Sequence, residues 1–212
     1  MSDHAPDQKQ WLPEGYEDRP LHRFEGSTAA VLADLVAIEA DLKQAKQWFA
    51  RILDERDETI KFALLSAALI KYRRAFNTGV RKNLVHEDVD DLGPIAPDLH
   101  QYLNDMASKF IAHSVNAFEQ VAAFVATNDE TQEILGIGHF YIYSSAEDPE
   151  NVKNFIVLID LILRKVGPRI EQARRNCDAE ARALGYSEIK NLPLLSFNLE
   201  PPTAAGSKRK PA

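Results

Sequence analysis

Residues 28–57 read TAAVLADLVAIEADLKQAKQWFARILDERD. Leu35, Ile38, Leu42, Ala45, Phe49 and Ile52 recur at spacings of three and four, which places them on one face of a helix. Asp34, Lys43, Lys46, Asp54 and Arg56 fall on the other side. The spacing predicts an amphipathic helix over about 28–57, with Ser27 or Thr28 as its N-cap. A helix of that length is a pillar of a bundle, and the neighbouring segments extend the pattern.

Downstream, TIKFALLSAALIKYRRAFNTG (59–79) is apolar almost all the way round from Phe62 to Ile70, which predicts a central helix stopping at Gly79. Its last turns gain Lys71, Arg73, Arg74 and Asn77 beside Tyr72 and Phe76. The acidic, proline-broken stretch HEDVDDLGPIAPD (86–98) reads as a solvated loop. The helical period returns with Leu99, Leu103, Met106, Phe110, Ala117, Val121 and Phe124, predicting a third helix from Leu99 to about Thr127. In 131–146, β-branched and aromatic residues crowd around Gly136 and Gly138, the pattern of a short hairpin. Asp148-Pro149 then caps a long stripe of Phe155, Ile159, Ile162, Val166, Ile170, Ala173, Cys177 and Leu184. Gly167-Pro168 interrupts that stripe and predicts a kink or two abutting helices.

Outside these elements, residues 1–27 read as an extended arm anchored by Trp11, Leu12, Tyr16 and Phe24. Residues 186–203 form a second arm, and 204–212 a disordered basic tail. With no βαβ alternation, repeat or second core, the fold class is all-α. The expected architecture is an up-and-down bundle of four to five helices over 28–185, with a hairpin insert near 131–146 and extended terminal arms.

Composition narrows the function classes. The 212 residues are 45% hydrophobic and 27% charged, enough for one sizeable core without staples. A lone cysteine, Cys177, excludes an intramolecular disulfide framework and a cysteine-based zinc site. Net charge is −7, and Lys208, Arg209 and Lys210 make the body more acidic still, which argues against broad, charge-driven nucleic-acid binding but leaves room for a local basic groove. No apolar run spans a bilayer and the N-terminus has no signal pattern, so a cytoplasmic protein without membrane association is expected. Phosphate-loop, nucleophile-elbow, HExxH and EF-hand motifs are absent. The histidines at 4, 22, 86, 100, 113 and 139 have no i, i+3 or i+4 spacing, so neither a metal nor a cofactor is expected.

One helix segment invites chemistry. His113 has Lys109 and Asn116 at i−4 and i+3 and Phe110 and Ala117 on its apolar side, at the border of core and polar face. The plain reading is a half-buried histidine tied to the backbone or Asn116; the sharper one is a general acid/base. The wording KFIAHSVNAFE (109–119), preceded by IKYRRAF (70–76), resembles the HEPN superfamily of helical nucleotide-binding domains, over roughly residues 30–185. That resemblance implies a dimerising helical bundle. In active members it implies a metal-independent ribonuclease whose histidine, here His113, activates a ribose hydroxyl while an arginine separated from it by four to six intervening residues steadies the phosphate. Many such members are toxins or phage-defence effectors.

Those earlier positions here are Ser108, Ala107 and Met106, and none carries charge. Losing the guanidinium fork removes a charge-assisted grip on the transition state. The resemblance therefore implies a catalytically degenerate member binding RNA, a nucleotide or a protein partner in a groove near Arg73, Arg74, Asn77, Lys109, His113 and Asn116. Lys109 has an ordinary alternative in an i, i+4 pair with Asp105, and Arg73 and Arg74 in a solvated helix end. Arg73 and Asn77 share a face that Arg81 continues, where an anion could be gripped. Ser114 could be a core hydroxyl bonded back to a carbonyl, and Glu119 could orient His113 or face water. Phe140, Tyr141 and Tyr143 could stack a base or pack across a hairpin. Two other readings stay open: an active ribonuclease with His113 as base and a displaced cation, and a purely structural interaction module. A homodimer is the expected assembly.

Overall fold

The computed structural model describes residues 19–77, 83–111, 119–143 and 148–195. They are mostly helical, with one two-stranded antiparallel sheet. Residues 35–168 form one compact unit; a second consists of the chain before Leu35 and after Pro168.

Helix α1 (Ser27–Asp54), which lies in the 35–168 unit from Leu35 onward, buries all six stripe residues read from the sequence, and also Asp41. The helix begins at Ser27 with the Ala30 amide donating to the Gly26 carbonyl, which puts Gly26 at the cap position expected at Ser27 or Thr28, while the Thr28 hydroxyl donates to the Glu180 carboxylate. The link to α2 (Glu58–Arg74) is short because both of its acids serve as caps. Glu55 accepts from the backbone N–H groups of Arg56 and Asp57, and Asp57 from those of Thr59 and Ile60, at 2.8–3.1 Å. The amides of Asp57 and Arg56 hold the Glu55 carboxyl below its usual pKa.

Helix α2 is not buried all round, as its composition suggested. It buries Leu65, Ala68, Leu69 and Tyr72, but leaves Ile60 and Ile70 each 47% exposed. Apolar side chains permit burial without enforcing it. The helix stops at Arg74, before Gly79, which lies outside the described residues.

The segment read as a solvated loop is ordered around apolar plugs. Leu84 and Val89 are buried, a short helix α3 spans Glu87–Asp90, and α4 runs Ala96–Asp105. Asp88 accepts from the Val85 amide, and Lys165 ties down both the Asp88 carbonyl and Asp91. The acids thus build a turn over a hydrophobic floor.

The third helix ends far short of Thr127. After α4 comes a π-helical turn, Met106–Ile111, and the chain re-emerges as strand β1 (Glu119–Asn128) paired with β2 (Glu133–Tyr143). The hairpin expected at 131–146 therefore covers 119–143. Val121 and Phe124 matched the helical spacing only because VAAFVA is apolar at every position; pairing to β2 decides for the strand. At the turn, the Asn128 side chain accepts from the amides of Glu130 and Thr131. Gly138 lets the Phe124 ring lie against the sheet: a Cβ there would sit 2.4 Å from the ring.

Helix α5 (Pro149–Leu184) begins with Asp148 accepting from the Glu150 amide. It continues through Pro168 as a single helix, in place of two abutting ones. Burial of Val166, Ile170 and Ala173 on either side of the proline offsets one missing hydrogen bond. The stripe stops at Ala173, since Cys177 is half-buried and Leu184 exposed. Phe49, Tyr102 and Phe155 form the aromatic centre of the 35–168 unit, with Phe155 between the other two at 5.4 and 5.9 Å.

In the second unit the two arms zip together. Arg23 donates to the Pro193 carbonyl at 2.7 Å and Leu195 to that of Leu21 at 2.8 Å, flanking a bridge between His22 and Leu194. His22 Nδ1 also meets the Leu192 carbonyl at 2.9 Å. A last short helix, α6, spans Tyr186–Ile189. Phe24 is half-buried; Trp11, Leu12 and Tyr16 lie outside the described residues, as do 196–212. Among the described residues no helix is long and apolar enough to cross a membrane.

Candidate functional site

The cationic end of α2 separates into two kinds of charge. Lys71 Nζ and Arg74 Nε grip the two oxygens of the buried Asp41 carboxylate at 2.8 and 3.2 Å. An ionised carboxylate taken out of water needs such partners, so Arg74 helps to balance the buried charge of Asp41. Arg73 is different. Its Nε donates to Asn77 Oδ1 at 3.1 Å, and among the described residues it pairs with no carboxylate. The shared face of Arg73 and Asn77 read from their spacing is thus a real contact.

Lys109 takes the ordinary option. Its ammonium lies 3.0 Å from Asp105 on the same helical face. Donation from Lys109, then from Gln101, holds the Asp105 carboxyl below its usual range. His113 and Asn116 lie outside the described residues, with Ser114 and Arg81. Phe140 is exposed on the hairpin, and the side chains of Tyr141 and Tyr143 are likewise outside the description.

Behind Arg73 lies a cluster that the sequence reading missed. Tyr72, on the buried face of α2, brings its hydroxyl 2.7 Å from His100 Nδ1 on α4. His100 Nε2 is 2.7 Å from Nδ1 of His86, the residue preceding α3, and 3.0 Å from the Asn104 amide one turn on. Phe76 packs its ring 4.3 Å from the His100 ring. The chain of polar groups runs from a fully buried phenol, through an imidazole only 2% exposed, to an exposed imidazole.

Electrostatics fixes the charge of this chain. Burial, reinforced by the neighbouring His86, lowers the His100 pKa to about 4, so its ring is neutral at physiological pH. Burial also pushes the Tyr72 phenol far above its ordinary pKa. In one proton arrangement Tyr72 O–H donates to His100 Nδ1, His100 Nε2–H donates to His86 Nδ1, and a half-turned Asn104 amide offers its oxygen to the same N–H. In the other, His100 Nδ1–H donates to Tyr72 while Asn104 and His86 donate to Nε2. The first arrangement gives the buried Tyr72 hydroxyl proton an acceptor, and in both the contacts tie α2, α3 and α4 together at the end that carries Arg73 and Asn77.

A signal for the lock was present. Ala96, His100, Leu103 and Ala107 follow one another at spacings of four and three, and all are buried. A histidine inside an apolar stripe demands a partner. Its partners come from 14 and 28 residues away, so only the tertiary fold names them. Among the described residues no group of three or more His, Cys, Asp or Glu is placed to hold a metal ion. Comparison with models of known families, with curated proteins and with solved structures finds no match to this chain.

Proposed function

We propose that this chain is a HEPN-like up-and-down helical bundle of four to five helices that has lost nuclease chemistry. It binds a phosphate-bearing ligand, RNA or a nucleotide, at the C-terminal end of α2. The observation that carries this reading is Arg73. Its neighbours Lys71 and Arg74 are engaged by Asp41 and Lys109 by Asp105, whereas among the described residues Arg73 pairs with no carboxylate and meets the neutral Asn77. The guanidinium keeps its forked donors for an anion, and Asn77 adds an amide donor beside them. The Tyr72–His100–His86 chain supports the reading by fixing the helix end on which both residues stand.

Binding of a fluorescent single-stranded RNA, followed by anisotropy at low and moderate salt, tests it. Arg73→Glu is expected to weaken binding at least tenfold at low salt, equivalent to about 1.4 kcal/mol or more. Unchanged affinity in that variant contradicts the assignment. Arg74→Ala serves as the contrast: it lowers the melting temperature by removing a partner of buried Asp41 and leaves RNA affinity within about twofold, a factor worth less than 0.5 kcal/mol. The same RNA incubated in EDTA stays intact, since the motif arginine is missing; cleavage that disappears in His113→Ala restores the ribonuclease reading.

A further inference from the structure

Two imidazole nitrogens that face each other across 2.7 Å hold one proton between them, because two N–H groups repel there and two lone pairs do likewise. His86 Nδ1 and His100 Nε2 stand in this relation, and a second bond of 2.7 Å continues the chain from His100 Nδ1 to the Tyr72 hydroxyl. The two ends of the chain differ. His86 is exposed, so its ring meets water. Tyr72 is fully buried, and among the described residues its hydroxyl has His100 as its hydrogen-bond partner and no other.

The chain is complete when both rings are neutral, Tyr72 donates to His100 Nδ1 and His100 Nε2–H donates to His86 Nδ1. A proton added to His86 occupies Nδ1, so His100 has to present a bare Nε2 and carry its own proton on Nδ1. The Tyr72 O–H then faces an N–H and is left as a buried donor without an acceptor. Turning the His86 ring out to water avoids that penalty and breaks the bond to His100. No acid is placed to hold the cation where it is. Beside His86, Asp88 accepts from the Val85 amide and Asp91 pairs with Lys165 of α5. On the His100 side, Asp105 of α4 pairs with Lys109 of the π-helical turn. Helix α2 presents Tyr72, followed by Arg73, whose Nε donates to Asn77. Among the described residues no carboxylate, Glu87 and Asp90 included, forms an ion pair with either imidazole.

We propose that the His86–His100 bond is an acid-released latch, which fastens the segment 83–92 to α2 and α4 at neutral pH and lets it go when His86 takes up a proton. The other tethers of this segment do not respond to mild acid. They are the Leu84 amide on the Ala75 carbonyl at 3.0 Å, the buried side chains of Leu84 and Val89, and Lys165 on the Asp88 carbonyl and the Asp91 carboxylate. Donation from Lys165 holds the Asp91 carboxyl below its usual range, so that pair stays charged. Burial, then the neighbouring His86, keeps His100 neutral down to about pH 4, which leaves the exposed ring to take the proton first. This inference stands independently of the ligand assigned to Arg73.

Amide hydrogen exchange on the full chain at about pH 7.5 and about pH 5.5, the range in which imidazoles change charge, tests it. Protection is taken relative to the unstructured rate at each pH. Over 84–92 it is expected to fall about tenfold further on acidification than over the middle of α1 and of α5, the factor carried by one hydrogen bond of ordinary strength. The comparison with α1 and α5 removes the stability that the whole chain loses through His100. His86→Asn offers an acceptor near the Nδ1 position but takes up no proton. In that variant, at an exposed position and with an unchanged helical circular dichroism spectrum, the extra loss over 84–92 is expected to vanish. A wild-type loss over 84–92 no greater than that of α1 and α5, or an extra loss that persists in His86→Asn, overturns the proposal.

Discussion

His100 shows how one side chain ties stability to pH. Its folded pKa is depressed to about 4, while an unfolded histidine titrates near 6.5. Between those values the unfolded chain binds the extra proton and the folded chain does not. Stability from this group is therefore complete above about 6.5 and declines as pH falls toward 4. At pH 5 the loss amounts to about 2 kcal/mol, which should appear as a lower melting temperature than at pH 7.5. His100→Phe should flatten that dependence, while costing about 1–3 kcal/mol at neutral pH because the Tyr72 hydroxyl loses its partner. Parallel melting curves for wild type and variant across this range would contradict the account. The residue was half legible: its place in an apolar stripe could be read, but its bonds to Tyr72 and His86 arise from chain reversals that no local pattern encodes.

At the scale of elements, legibility followed the uniqueness of the hydrophobic period. Helices α1 and α5 carry stripes that fit only one geometry, and the structure buries Leu35, Ile38, Leu42, Phe49, Phe155, Ile159 and Ile162 accordingly. VAAFVA fits a helix and a strand alike, and β2 supplies the pairing that decides between them. The acidic segment before α4 misled in the opposite sense, because Leu84 and Val89 are isolated apolar residues whose burial depends on the surrounding helices. Pro168 was recognisable as a disruption, yet burial on both sides of it keeps α5 continuous. A continuous helix predicts that Pro168→Ala restores a backbone bond and raises the melting temperature, by about 1–3 kcal/mol of added stability. A lower melting temperature would mean that the helix requires the proline at that point.

The chain is acidic overall, so the contact proposed at Arg73 is a confined, specific one rather than a nonspecific film of charge. RNA bound by it should depend on a few phosphates, so its salt dependence should be shallow compared with that of a broadly basic protein. Of the residues assigned to the groove from sequence, Arg73 and Asn77 come together, Arg74 and Lys109 are engaged by acids, and His113 and Asn116 lie beyond the described residues. Spacing on one helix was enough to find the first pair. The engagement of Arg74 was hidden because Asp41 sits on α1, more than thirty residues away in the chain. The C-terminal Lys208, Arg209 and Lys210 offer the competing place for a polyanion.

Amide hydrogen exchange with and without a short single-stranded RNA separates these possibilities most directly. The account predicts slowed exchange at Tyr72–Asn77, the end of α2, on addition of RNA, and no such slowing in Arg73→Glu. Protection that leaves this segment unchanged and falls on the basic C-terminal tail would contradict it.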